Sequence, residues 1–214
     1  MSTLQRVCVV LFDRFELLDV FGPAEMFGVL HDRFEIVLAG PQAGAIASNQ
    51  GPRAIADVAY GDAPASDIVL VPGGIGNRPL VEDRGFLDWL ARYCAATPVI
   101  TSVCTGAGLL AAAGLLDGYR ATSNKRAFDW ARAQGPRVEW VPEARWVHDR
   151  NRWTSGGVAA GIDMALALIA HLHGHEVAER VATNTEYDWH ADPAWDPFAA
   201  IHGLVPAKPS TVEP

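Results

Sequence analysis

The chain has 214 residues, 50% hydrophobic and 20% charged, enough to bury a large core and most simply arranged as one α/β domain over 1–205. Its 17 basic against 25 acidic residues give a formal charge of -8, which argues against a phosphate-tracking surface and sets nucleic-acid binding aside. The amino-terminal apolar run is too short for a secretory signal, no run of about 18 apolar residues occurs, and three cysteines without CxxC spacing fit neither a disulfide framework nor a zinc site, so a cytoplasmic protein off the membrane is expected.

VCVVLF at 7–12 opens the chain as a strand. LLDVFGPAEMFGVLH at 17–31 carries helix-spaced apolar residues, and Gly22-Pro23 should interrupt or start that helix. FEIVLAG at 34–40 and DIVLVPGG at 67–74 are the next strands, and PLVEDRGFLDWLARYCA at 79–95 the next helix. PVITSV at 98–103 is β-branched and apolar, as a buried parallel strand would be, and ends abruptly on Cys104. RVEWVPE, ARWVHDR and RWTSGG, within 137–157, suggest a small β section before an Ala/Leu-rich helix from about Val158 to His173. After Tyr187 the proline- and tryptophan-rich DWHADPAWDPF should run irregularly over the surface, and 206–214 should be a disordered tail. The alternation implies an α/β protein with a mostly parallel sheet covered by helices.

Cys104 stands where chemistry is expected. A strand turning directly into a helix, with Gly106 and Gly108 letting the backbone approach closely, makes a nucleophile elbow that lifts one side chain from the carboxyl edge of the sheet. The N–H groups and dipole of the following helix favour negative charge, so the thiolate should be easier to reach than in a free cysteine. Cys8, inside a strand, and Cys94, inside a helix, have no helix start before them and read as inert core thiols.

LFDRFELLDVFGPAE at 11–25, VPGG at 71–74 and TSVCTGAGLLAAAGLLDGYRAT at 101–122 together resemble the PfpI/ThiJ superfamily (class I glutamine amidotransferase-like), most closely its isocyanide hydratase branch. The resemblance implies a flavodoxin-like three-layer sandwich, usually dimeric, with a nucleophilic cysteine at the elbow and an acidic partner on the segment after the first strand. Matched to FELLDVFGP, that partner is Asp19. The resemblance also assigns the backbone amides at Gly73, Gly74 and Ile75, with that of Thr105, to stabilising negative charge. Glu186-Tyr187 resembles an EY pair near the hydratase carboxyl end that would line a pocket. Two departures narrow the chemistry: Thr105 stands where protease-like members carry histidine, and Asn124 where many relatives carry another.

Asparagine hydrogen-bonds but carries no proton at neutral pH, so a carboxylate is the remaining acid near the thiol. A thiolate and one carboxylic acid suffice to hydrate an isocyanide, with no metal or other cofactor. The expected partners are a small-molecule isocyanide and a second copy of the chain. His171 and His175 have ligand-like spacing, but Gly174 should end their helix, and no metal site is expected there. The acids and His190 of YDWHADPAWDPF could hold a cation but more simply pack a surface segment, and Glu25 reads as a surface or capping acid. The rival from another class is a cysteine-based redox or ligand-sensing regulator: GLLDG…AT resembles the amino-terminal half of AraC-type regulators, whose DNA-binding helices would have no room before Pro214.

Overall fold

In the computed structural model, which describes residues 4–206, the chain begins with β1 (Gln5–Val10), α1 (Leu17–Gly28), β2 (Phe34–Gly40), a hairpin of β3 (Gly44–Ala47) and β4 (Arg53–Ala56), β5 (Val58–Ala59) and β6 (Ile68–Val71). It continues through α2 (Asn77–Leu80), α3 (Arg84–Ala95), β7 (Val99–Val103), α4 (Gly106–Ala112), β8 (Arg120–Ala121), α5 (Phe128–Ala133) and β9 (Glu139–Trp140). β10 (Trp146–Asp149), β11 (Arg152–Ser155), α6 (Ala160–His173), α7 (His175–Asn184) and α8 (Phe198–Ile201) complete it. Apart from Pro206, the expected tail lies outside the described residues.

The apolar run of β1 has no polar alternation, and a strand of that kind must be covered on both faces. Val7 to Val10 are accordingly inaccessible to solvent, with β2 on one side and β6 on the other, both parallel. The sheet order is β10-β11-β7-β6-β1-β2-β5, parallel throughout except for the antiparallel β10-β11 edge. Its longer parallel strands, β2-β1-β6-β7-β11, follow the flavodoxin order. The chain moves one way from β1 to β2 and the other way from β6 to β7, so right-handed crossovers put α1 and α3 on opposite faces. This is the expected flavodoxin-like three-layer sandwich. The strand order reverses between β1 and β6, and ligands of such sheets bind beyond the carboxyl ends at that reversal.

Three local expectations need correction. Gly22-Pro23 neither interrupts nor starts α1, which runs through both residues. Pro23 removes one helical hydrogen bond, but both residues are buried against α6, where a Cβ on Gly22 would come 2.7 Å from Ile162 Cγ1. The helix expected over 79–95 is split: α3 begins at Arg84, capped by Asp83, whose carboxylate accepts the Phe86 N–H at 3.0 Å. The β section within 137–157 is partly main sheet, because β11 pairs with β7. The β3-β4 hairpin carries too weak a pattern to be read from the sequence.

The segment after Tyr187 is irregular, as expected, but buried charges tether it. Arg145 Nε lies 2.6 Å from Asp163 Oδ2 on α6, and Asp163 Oδ1 accepts from the Tyr187 hydroxyl at 3.1 Å and the His190 N–H at 3.0 Å. Lys125 Nζ lies 3.2 Å from Asp196 Oδ2, both side chains almost fully buried, while Asp196 Oδ1 accepts the Phe198 N–H at the start of α8. Losing one partner of such a pair typically costs about 3–5 kcal/mol, so these contacts hold the segment down firmly. No helix among the described residues is long and apolar enough to cross a membrane.

Candidate active site

β7 ends at Val103, and the next residue, Cys104, turns the chain at φ 59, a left-handed conformation that non-glycine residues adopt only under constraint. The constraint is visible: the Cys104 N–H is held by the Ser155 and Gly156 carbonyls, each at 3.2 Å, and its carbonyl accepts from Ser123 Oγ at 2.8 Å. At Gly106 a Cβ would overlap the Val71 carbonyl oxygen, so only glycine lets α4 start this close to β6. Cys104 is 7% exposed at this elbow.

Asp19 reaches the thiol from the first turn of α1 and is fully buried. Its Oδ2 accepts the Gly73 N–H at 2.8 Å. Its Oδ1 has no hydrogen-bond partner among the described residues, and the carboxyl interacts with the Cys104 thiol. Burial pushes the Asp19 carboxyl well above the usual carboxylate range, a displacement the Gly73 N–H only partly opposes. Burial likewise pushes the Cys104 thiol well up, and a charge on Asp19 pushes it further, against the stabilising Thr105 N–H and hydroxyl. The expected easing of the thiolate by the start of α4, a helix of seven residues, is opposed by burial beside a carboxyl. Like charges this close cannot both form readily, so the two groups titrate as a coupled pair.

Two amides of the glycine loop are engaged within the candidate site: the Gly73 N–H donates to Asp19 Oδ2 at 2.8 Å and the Gly74 N–H to Thr105 Oγ1 at 3.2 Å. Gly74, at φ 129, packs where a Cβ would meet the backbone of Arg14 and Glu16. Ile75 is exposed and lines a neighbouring apolar cavity of about 610 Å³ with Phe12, Tyr60, Phe86 and Trp89; Cys104 is not part of that lining. The Thr105 N–H does face Sγ.

On the other side, a Cβ on Gly157 would fall 2.8 Å from Cys104 Sγ and would overlap Asn124 Nδ2, so the missing side chain keeps space open between them. Asn124 Oδ1 accepts the Ala127 N–H at 3.1 Å, which leaves its NH₂ group toward that space. A cavity of about 500 Å³ adjoins Asn124 and Gly157, walled by Trp195 and Phe198. Glu186 is exposed just after α7, and the Tyr187 hydroxyl donates to Asp163 Oδ1. Asn77, whose Nδ2 donates to Thr105 Oγ1 at 2.7 Å, and Gly157 were not readable as site residues, because each meets the Cys104 elbow only through the folding together of distant segments.

The remaining candidates are dispersed. Cys8 and Cys94 are buried, with the Cys94 thiol pushed up to about 12 by desolvation. His171 packs against His148 and Trp153, whereas His175 pairs with Glu179, and His190 stacks on Trp195. Among the described residues no group of three or more His, Cys, Asp or Glu is placed to hold a metal ion. Glu25 is exposed.

The sequence model of the DJ-1/PfpI family matches residues 5–171. The chain is 36% identical over 179 residues to isonitrile hydratase of Pseudomonas putida, covering 83% of this chain and 76% of that protein. It is 31% identical over 192 residues to the HTH-type transcriptional regulator GbdR of Pseudomonas aeruginosa, covering 86% of this chain but about half, 51%, of the regulator. Among solved structures, a THiJ/PfpI family protein from Pseudomonas syringae superposes with a TM-score of 0.80 at 32% identity, over 91% of this chain and 79% of the other.

Proposed function

Since the chain belongs to the DJ-1/PfpI family, we propose that it is a hydratase converting an isocyanide to an N-substituted formamide through a thioimidate on Cys104. The observation that carries this reading is the buried pairing of a cysteine at the strand-to-helix elbow with the Asp19 carboxyl, in a chain similar to an isonitrile hydratase. In R–N≡C a single carbon must receive both the nucleophile and a proton. Asp19 gives its proton to that carbon as Sγ bonds to it, forming R–N=CH–S–Cys104 and leaving Asp19 ionised. The carboxylate then takes a proton from water as the hydroxide portion adds to the imidate carbon, and passes that proton to nitrogen. When Asp19 removes the remaining hydroxyl proton, the C–S bond breaks, R–NH–CHO departs, and the thiolate and neutral acid are restored. Asn124 Nδ2 and the Thr105 N–H flank the space where these atoms would sit.

The test is incubation of the purified protein with a panel of alkyl and aryl isocyanides, followed by chromatography for the formamide. Catalytic formation from at least one member is expected, and none from any would overturn the reading. The similarity to GbdR favours a second reading, a sensor that uses an oxidisable elbow thiol. Absence of turnover together with a change of binding partners after peroxide would select it.

We also propose that the protein is a homodimer. Leu18 and Phe21 leave 43% and 42% of their surface exposed on α1, next to the helix turn that carries Asp19, an apolar patch suited to a second copy. Sedimentation at micromolar concentration should show twice the 23.0 kDa chain mass, and Phe21→Glu should shift the protein to the monomer. A wild-type species at the chain mass alone would refute the dimer.

A further inference from the structure

We propose that Asn77 is a positioning residue for the nucleophile: from α2 it locks the Thr105 hydroxyl so that the hydroxyl proton is directed at Cys104 Sγ. Asn77 is fully buried, and its Nδ2 donates to Thr105 Oγ1 at 2.7 Å and to the Thr105 carbonyl at 3.0 Å. The carbonyl can only accept, which fixes the amide with its NH₂ toward Thr105. The Gly74 N–H donates to the same Oγ1 at 3.2 Å. A hydroxyl has two lone pairs and one proton, and here both lone pairs face donors that cannot reverse. The proton is therefore turned away from both donors, and the thiol of the adjoining residue, Cys104, is the acceptor the proposal assigns to it. Asn77 Oδ1 finds no partner, so the side chain keeps an unsatisfied buried acceptor that an apolar residue of the same size would not carry.

The charged groups that Cys104 senses are Asp19 on α1, Glu16 just before it and Arg78 on α2, while Lys125, on the segment after β8, is engaged by Asp196. None of these is altered by changing Asn77 or Thr105 to an apolar residue. The inference rests on Cys104 being the nucleophile of the proposed reaction, but its test reads the thiol directly and needs no isocyanide. The rate of Cys104 alkylation by iodoacetamide is followed against pH, with the Cys104 peptide resolved by mass spectrometry from those of Cys8 and Cys94.

A hydroxyl bonded to a thiolate stabilises the charged form, so removing its direction raises the pH at which alkylation reaches half its plateau. Asn77→Leu and the smaller Asn77→Ala should each move that midpoint upward by about one to two units, the scale of one hydrogen bond to a charged group. Thr105→Val should produce a similar shift, and adding either Asn77 change to Thr105→Val should move it no further. A merely structural Asn77 would lower the melting temperature and leave the midpoint in place. An unchanged midpoint in a folded Asn77 variant, or shifts that add in the double variant, would overturn the proposal. Should neither Asn77 variant fold, an unchanged midpoint in Thr105→Val overturns it as well, since the hydroxyl is the route by which Asn77 acts. Normal isocyanide turnover beside a negative alkylation result would leave the proposed reaction standing while removing Asn77 from it.

Discussion

Cys104→Ala or Cys104→Ser should abolish formamide production from any isocyanide the wild-type protein hydrates, because sulfur is the atom that bonds the substrate carbon. Serine is the sharper test. It matches the thiol closely in size, so the elbow at φ 59 and its contacts to Ser155, Gly156 and Ser123 should survive. Its hydroxyl, however, is a far weaker acid, and beside a carboxyl in a desolvated site it has no route to the alkoxide. Circular dichroism should show an unchanged fold, and turnover above a few per cent of wild type would eliminate the covalent route. A wild-type protein quenched during turnover should carry the isocyanide mass on the Cys104 peptide.

Asp19→Asn is expected to lower turnover by about a hundredfold or more, the usual scale for removing a general acid. The amide retains an oxygen to accept the Gly73 N–H, so the glycine loop should stay in place and the loss should be chemical. The pH dependence carries the sign. In the wild type, activity falls at low pH as the pair takes up a second proton and the nucleophile is lost. It falls again at high pH as the remaining proton leaves and the acid is lost, and burial of Asp19 displaces this second step upward. The apparent constants belong to the pair. Asparagine cannot titrate, so the alkaline limb should vanish in Asp19→Asn while an acid limb from Cys104 remains. A folded variant with near-normal turnover and an unchanged bell would leave Cys104 without an acid and transfer support to the sensor reading.

The two residues on which these outcomes depend were legible for different reasons. Cys104 follows directly on the apolar run Pro98 to Val103 and precedes Gly106, a local signal that needs no knowledge of the rest of the chain. Asp19 has no such signature; an acid early in an amphipathic helix is ordinarily a solvated or capping group, and the family resemblance of its segment singled it out. The glycine loop was located through the same resemblance, but the destination of its amides was not. Each N–H has one bond to give, and whether it goes to an incoming charge or to Asp19 and Thr105 depends on how α1 and the Cys104 elbow meet over β6.

What the sequence by itself determined is the order of strands and covering helices, because burial on both faces demands apolar runs and these are written residue by residue in Val7 to Val10 of β1 and in β6, with mainly apolar, β-branched stretches in β2 and β7. It also determined that a thiol stands at the strand-to-helix turn. The tertiary structure alone decided the surroundings that push that thiol up, since burial and a carboxyl from α1 exist only once segments some 85 residues apart in the chain are packed together. It decided in the same way that Asn77 meets Thr105 and that Gly157 adjoins Cys104. Hydrogen-bond partners and desolvation are properties of three-dimensional neighbours, and in this chain the decisive neighbours of Cys104 come from α1, α2 and the turn before α6, none of which its own sequence context specifies.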